Sequence, residues 1–68
     1  MSKSILTKRE KEVFELLIQN KSTVEIAKQM KISEKTVRNH ISNVMQKLGV
    51  QGRAGAVVEL LKLKEISL

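Results

Sequence analysis

The stretch STVEIAKQMKISEKTVRNHISNVMQKLG, residues 22–49, decides the fold. Ser22 followed by Glu25 has the spacing of a capping box, in which the hydroxyl takes a first-turn N–H and the carboxylate takes that of the cap residue. A helix is therefore expected over Thr23–Met30, with Ile26, Ala27 and Met30 as its apolar positions. Ser33 is a second N-cap, and Glu34 places an acid in the first turn, where the helix dipole favours one. Val37, Ile41, Val44 and Leu48 then recur at i, i+4, i+7 and i+11, one narrow apolar stripe. Gly49 stands where a left-handed cap would end that helix. Only Lys31-Ile32, flanked by Met30 and Ser33, joins the two helices, so they must cross steeply, as in a helix-turn-helix unit. Ala27 supplies the small residue at the crossing, Ile32 the buried turn residue and Val37 the aliphatic contact. Glycine is common in such turns; Lys31 occupies that region here. The competing reading is a plain helical hairpin.

Working outward, Thr7 and Glu10 repeat the capping-box spacing and open a first helix over about Lys8–Gln19. Val13, Phe14, Leu16, Leu17 and Ile18 form its apolar face, and Asn20-Lys21 breaks the pattern. A fourth helix is expected over about Arg53–Lys64. Its stripe Ala54, Val57, Val58 and Leu61 is suited to docking on the core. A second stripe, Ala56, Leu60 and Leu63, lies roughly 140° away and is read as a dimer interface, since an exposed apolar patch on so small a chain marks one. The alternative packs that stripe against helix one or the N-terminal segment. Gly55 weakens this helix by up to ~1 kcal/mol and would allow two helices a close approach. Residues 1–6 read as a flexible arm and Glu65–Leu68 as a frayed tail. The expectation is one all-α, four-helix domain over residues 1–68.

Composition narrows the partner. Thirteen Lys and Arg against seven Asp and Glu give a formal charge of +6, which suits a polyanion. With no cysteine and one histidine, disulfides, thiolate chemistry and a metal cage are not expected, and no cofactor or small-molecule ligand is implied. No apolar run approaches the ~18 residues of a membrane span, and Met1–Leu6 is too short for a signal peptide, so the chain reads as cytoplasmic with no membrane partner. Phe14 is the only aromatic residue. Binders of single strands stack bases on aromatic faces, so a duplex is favoured over a single strand.

The third helix carries the site. Arg38, Ser42, Lys35, Gln46, Asn39 and Asn43 fan across the face opposite Val37, and beyond Glu34 the helix holds no acid. A helix lying in the major groove excludes carboxylates that would sit near phosphates. Arg38 can fork onto guanine O6 and N7, and Asn39 can pair with adenine N6 and N7. Lys35, Thr36, Lys47, Arg53 and Thr23, the last beside free N–H groups at a helix start, are candidates for phosphate contacts. A solvated surface explains each of these equally well when taken alone. His40, at the edge of the stripe, is read as a packing residue.

These residues resemble a known family. Leu6-Thr7-Lys8-Arg9-Glu10 with Val13, Glu25-Ile26-Ala27, Ser33-Glu34-Lys35-Thr36-Val37 with His40, and Lys47-Leu48-Gly49 with Arg53 are similar to the LuxR/FixJ/NarL-type helix-turn-helix DNA-binding domain over nearly the whole chain. The resemblance implies a homodimeric transcription regulator, activator or repressor, joined through helix four on pseudo-palindromic half-sites of double-stranded DNA. RNA polymerase is a further candidate partner. The resemblance implies base contacts from Arg38, Asn39 and Ser42, and phosphate contacts from Lys35, Thr36 and the start of helix two. Within the family the likeness is strongest to stand-alone regulators of late spore-coat genes, which implies action in the mother cell and control by the time of synthesis. Gly52 and the pair Ala54-Gly55 depart from the usual pattern at the start of helix four.

Rival readings are a protein-interaction bundle, a binder of structured RNA, and a promoter-recognition fragment of a larger polymerase subunit. The protein-interaction bundle does not account for the acid-free face of helix three. An enzyme is not expected, because the acids are scattered and His40 has no acidic neighbour at helical spacing.

Overall fold

The computed structural model describes residues 5–68. It contains α1 (Lys8–Leu17), α2 (Thr23–Met30), α3 (Glu34–Leu48) and α4 (Arg53–Lys62). The fold is all-α, as expected, and α3 is its centre, with α1, α2 and α4 all packed against it.

Local chemistry sets the helix starts. The Glu10 N–H donates to Thr7 Oγ1 at 3.1 Å, while Thr7 N donates to Glu10 Oε1 at 2.9 Å. Ser22 and Glu25 repeat this box at 3.1 and 2.8 Å. At α3, Ser33 Oγ accepts from Thr36 N at 3.0 Å. Gly52 at the start of α4 has no side chain with which to cap it.

All four helices end in one manner. Asn20, Lys31, Gly49 and Lys64 adopt left-handed φ values of 67, 59, 68 and 59°. Each is followed by an N–H that reaches a carbonyl five residues back: Lys21 to Leu16, Ile32 to Ala27, Val50 to Met45 and Glu65 to Leu60. This is a Schellman closure, which satisfies carbonyls that a helix end leaves unpaired. It also shortens α1 to Leu17 and α4 to Lys62, two residues short of the expected ends. Lys31 therefore does sit where glycine is usual, and it carries the left-handed conformation itself.

The core joins Val13 and Phe14 of α1, Ile26 of α2, Val37 and Val44 of α3, and Ala56 and Leu60 of α4, all fully buried. Two expectations about the ends are corrected. The part of the arm over residues 1–4 lies outside the described residues, but Leu6 is buried in the core. The tail is anchored at its middle: once Lys64 turns the chain, Ile66 is returned to the core at 4% exposure, while Leu68 stays exposed.

The inward face of α4 is rotated relative to the sequence reading: Ala56 and Leu60 form its centre, and Val57 and Leu61 of the expected docking stripe pack against the core beside them. Ala56 and Leu60, read as the dimer interface, are 0% exposed within one chain, whereas Val58 from the supposed docking stripe is 50% exposed. Ala54 is also exposed, and Val57 and Leu61 are half-buried. Ala56 is small enough for α4 to approach closely, and Leu60 fills the space one turn on. Leu63 stays exposed, but it is the C-cap and lies about 140° around the axis from Val58.

Candidate nucleic-acid interface

Burial of Val37, Ile41 and Val44 fixes the rotation of α3 and turns Lys35, Arg38, Asn39, Ser42, Asn43 and Gln46 to solvent. The residues expected to read bases, Arg38, Asn39 and Ser42, thus share one exposed face. Phe14 is wholly buried, so the single aromatic ring offers no stacking platform.

Arg38 is not free on that face. Its Nη2 donates to Glu34 Oε1 at 2.8 Å, one turn back, and the same oxygen accepts from Thr23 Oγ1 at 3.1 Å. A chain of two hydrogen bonds therefore runs from the first residue of α2 through α3 to the guanidinium. Sequence reading placed Glu34 only as a dipole-compensating acid and missed this link. The i, i+4 spacing to Arg38 was visible; the contact with Thr23 depends on the crossing angle of the two helices.

Of the candidates for phosphate contact, Lys35 and Arg53 are exposed. Thr36 is half-buried, and its hydroxyl lies 2.8 Å from that of Ser33, so the pair keeps one hydroxyl hydrogen for an outside acceptor. Thr23 commits its hydroxyl hydrogen to Glu34, which leaves its backbone N–H, ahead of the first intrahelical bond from Ile26 to Ser22, as the donor facing outward. Lys47 falls outside this group. Its ammonium is 2.6 Å from Glu10 Oε1 and 3.1 Å from the Ile5 carbonyl, on the flank of α3 that meets α1. In the free chain its ammonium is thus committed to an internal ion pair, because the Glu10 carboxylate is buried and needs a counter-charge.

Burial pushes the Glu10 carboxyl up, but its hydrogen bonds with Lys47 and Thr7, together with the charges of Lys47 and His40, outweigh burial and hold it below the usual value. The half-buried His40 thus sits within the field of this cluster.

Residues 4–60 match the family of bacterial regulatory proteins, luxR family. The chain belongs to this family. It is a helix-turn-helix, DNA-binding transcription regulator. It is 70% identical to the spore germination protein GerE of Bacillus subtilis (strain 168) over 67 residues, covering 98% of this chain and 90% of that one. Identity to the transcriptional regulatory protein DegU of Brevibacillus brevis is 50% over 58 residues, 85% of this chain but 25% of that protein. Among solved structures, that of the transcription factor GerE superposes with a TM-score of 0.93 at 62% identity, covering 96% of this chain and 97% of that one. The response regulator ChrA of a haem-sensing two-component system superposes with a TM-score of 0.85 at 32% identity, over 97% of this chain and 33% of its own.

The expected recognition and fold class are both borne out. Among the described residues no helix is long and apolar enough to cross a membrane.

Proposed function

We propose that this regulator binds pseudo-palindromic duplex sites as a homodimer, reading each half-site with Arg38, Asn39 and Ser42. Lys35, Arg53, the Thr36 hydroxyl and the Thr23 backbone N–H grip the phosphates. The carrying observation is the solvent-facing face of α3, basic and amide-bearing, held rigid by the buried Val37, Ile41 and Val44. Arg38 keeps a pair of N–H donors beside the one committed to Glu34, enough for the O6 and N7 of a guanine.

One α3 reads too few bases to specify a site, so two copies are needed, and the exposed Val58 with Ala54 and Leu61 provides the apolar face for pairing. The 70% identity to a spore germination protein over nearly the whole chain supports a place in late sporulation gene control, in the mother-cell cytoplasm.

Selection of bound sequences from a random duplex pool tests this reading. The expected product is two inverted half-sites about one helical turn apart. Repeating the selection with Arg38→Ala should relax a single position per half-site at a cost of ~1–3 kcal/mol. An enriched motif with no inverted symmetry would remove the dimer from the proposal, and an unaltered motif with Arg38→Ala would remove the reading face.

A further inference from the structure

Glu34 is the only acid on a helix that otherwise presents amides, hydroxyls and cations. A carboxylate there is repelled by phosphates and weakens DNA binding through its charge. Compensation of the helix dipole explains an acid in the first turn. It does not explain why one oxygen of that acid takes hydrogen bonds from two residues on different elements, Thr23 Oγ1 at 3.1 Å and Arg38 Nη2 at 2.8 Å. The link spans eleven residues of sequence across the turn on one side and one helical turn on the other.

We propose that Glu34 is a positioning residue that sets base selectivity: anchored by Thr23, it aims the Arg38 guanidinium into the groove and holds it away from the phosphates. The proposal rests on the reading face proposed above. Two physical effects act together. An exposed arginine samples many rotamers, and holding it in one before DNA arrives lowers the ordering cost of the base contact. The paired carboxylate also cancels much of the guanidinium charge, so Arg38 contributes little to sequence-independent phosphate binding, while its free donors still match guanine. Site and non-site affinities are thereby driven apart. Anchoring by Thr23 matters because an unanchored glutamate would move with the arginine and fix nothing.

The test uses the full chain and its Glu34→Ala, Glu34→Gln, Thr23→Val and Arg38→Ala variants, with unfolding curves to verify that each is folded. Titrations measure the ratio of affinities for a selected site and a non-site duplex at one salt concentration, and pool selection gives the motif. Glu34→Ala should tighten non-site binding, lower the ratio roughly tenfold, and relax the same half-site position as Arg38→Ala. Glu34→Gln retains an oxygen able to accept both bonds and should keep that preference, and Thr23→Val should shift the ratio in the direction of Glu34→Ala. A wild-type motif with Glu34→Ala, relaxation at a different position, or a Gln variant as unselective as the Ala variant would overturn the proposal. A wild-type motif with Arg38→Ala would instead bring down the reading face itself, and this proposal with it.

Discussion

Lys47 and Glu10 meet at 2.6 Å, joining the last turn of α3 to the first turn of α1 through a carboxylate whose residue is only 3% exposed. The two partners are not equivalent. Lys47 is 37% exposed at its side chain and can turn to water if the pair is broken, whereas the Glu10 carboxylate cannot.

That asymmetry predicts unequal mutants. Lys47→Met strands a buried charge and should cost about 2–3 kcal/mol, while Glu10→Gln keeps the capping hydrogen bond to Thr7 and should cost about 1 kcal/mol. Urea unfolding of the two variants at neutral pH measures both. Equal losses would mean that the carboxylate is better solvated than its burial indicates.

The same cluster sets an acid limit. Glu10 is held below the usual carboxylate value of 4.5 in the folded chain, so its ionised form stabilises the fold. That contribution is complete above the unfolded value and is lost as pH falls through the lower folded one. Glu25 shifts in the same direction because the Ser22 N–H bonds its carboxylate. Thermal stability should therefore fall as pH is lowered below about 4.5, and Glu10→Gln should flatten part of that fall.

Much of this architecture is legible in the residues, for reasons that also mark the limits. Thr7, Ser22 and Ser33 each announce a helix start because capping chemistry is local, and the period of Val37, Ile41 and Val44 fixes the outward face of α3. The left-handed residues are legible only in part. Gly49 and Asn20 are ordinary choices there, but Lys31 and Lys64 take the conformation because tertiary packing requires the turn. Helix four carries two apolar stripes, and periodicity cannot say which one faces inward. The partner of Lys47 was hidden for a similar reason, since residues 10 and 47 meet only once α1 lies on α3.

Lys31 offers a clean measure of that backbone cost. A non-glycine residue in the left-handed region costs about 1–2 kcal/mol, partly offset because glycine gains more freedom on unfolding. Lys31→Gly should thus stabilise the domain by up to about 1 kcal/mol, and Lys31→Val should destabilise it. A midpoint rise of several degrees for the glycine variant checks this; no rise would mean that the lysine stem contributes packing of similar size.

The buried and exposed positions of α4 separate folding from association. Leu60→Glu places a charge at a fully buried position and should unfold the chain, with a loss above about 4 kcal/mol. Val58→Glu should leave the fold intact and shift the protein to monomers in sedimentation. A folded monomer with Leu60→Glu would restore the face suggested by periodicity alone.

Salt dependence distinguishes the lysines of α3. Lys35 is exposed and its ammonium has no partner among the described residues, whereas Lys47 is neutralised by Glu10 and anchored to the Ile5 carbonyl. Each phosphate contact releases counterions and adds roughly one unit to the slope of log affinity against log salt. Lys35→Ala should therefore lower that slope by about one per half-site contact. The double variant Glu10→Gln/Lys47→Gln, which removes both charges without stranding either, should leave the slope unchanged. A lower slope with the double variant would show that Lys47 leaves Glu10 for a phosphate when DNA binds, and that the ion pair belongs to the free protein alone.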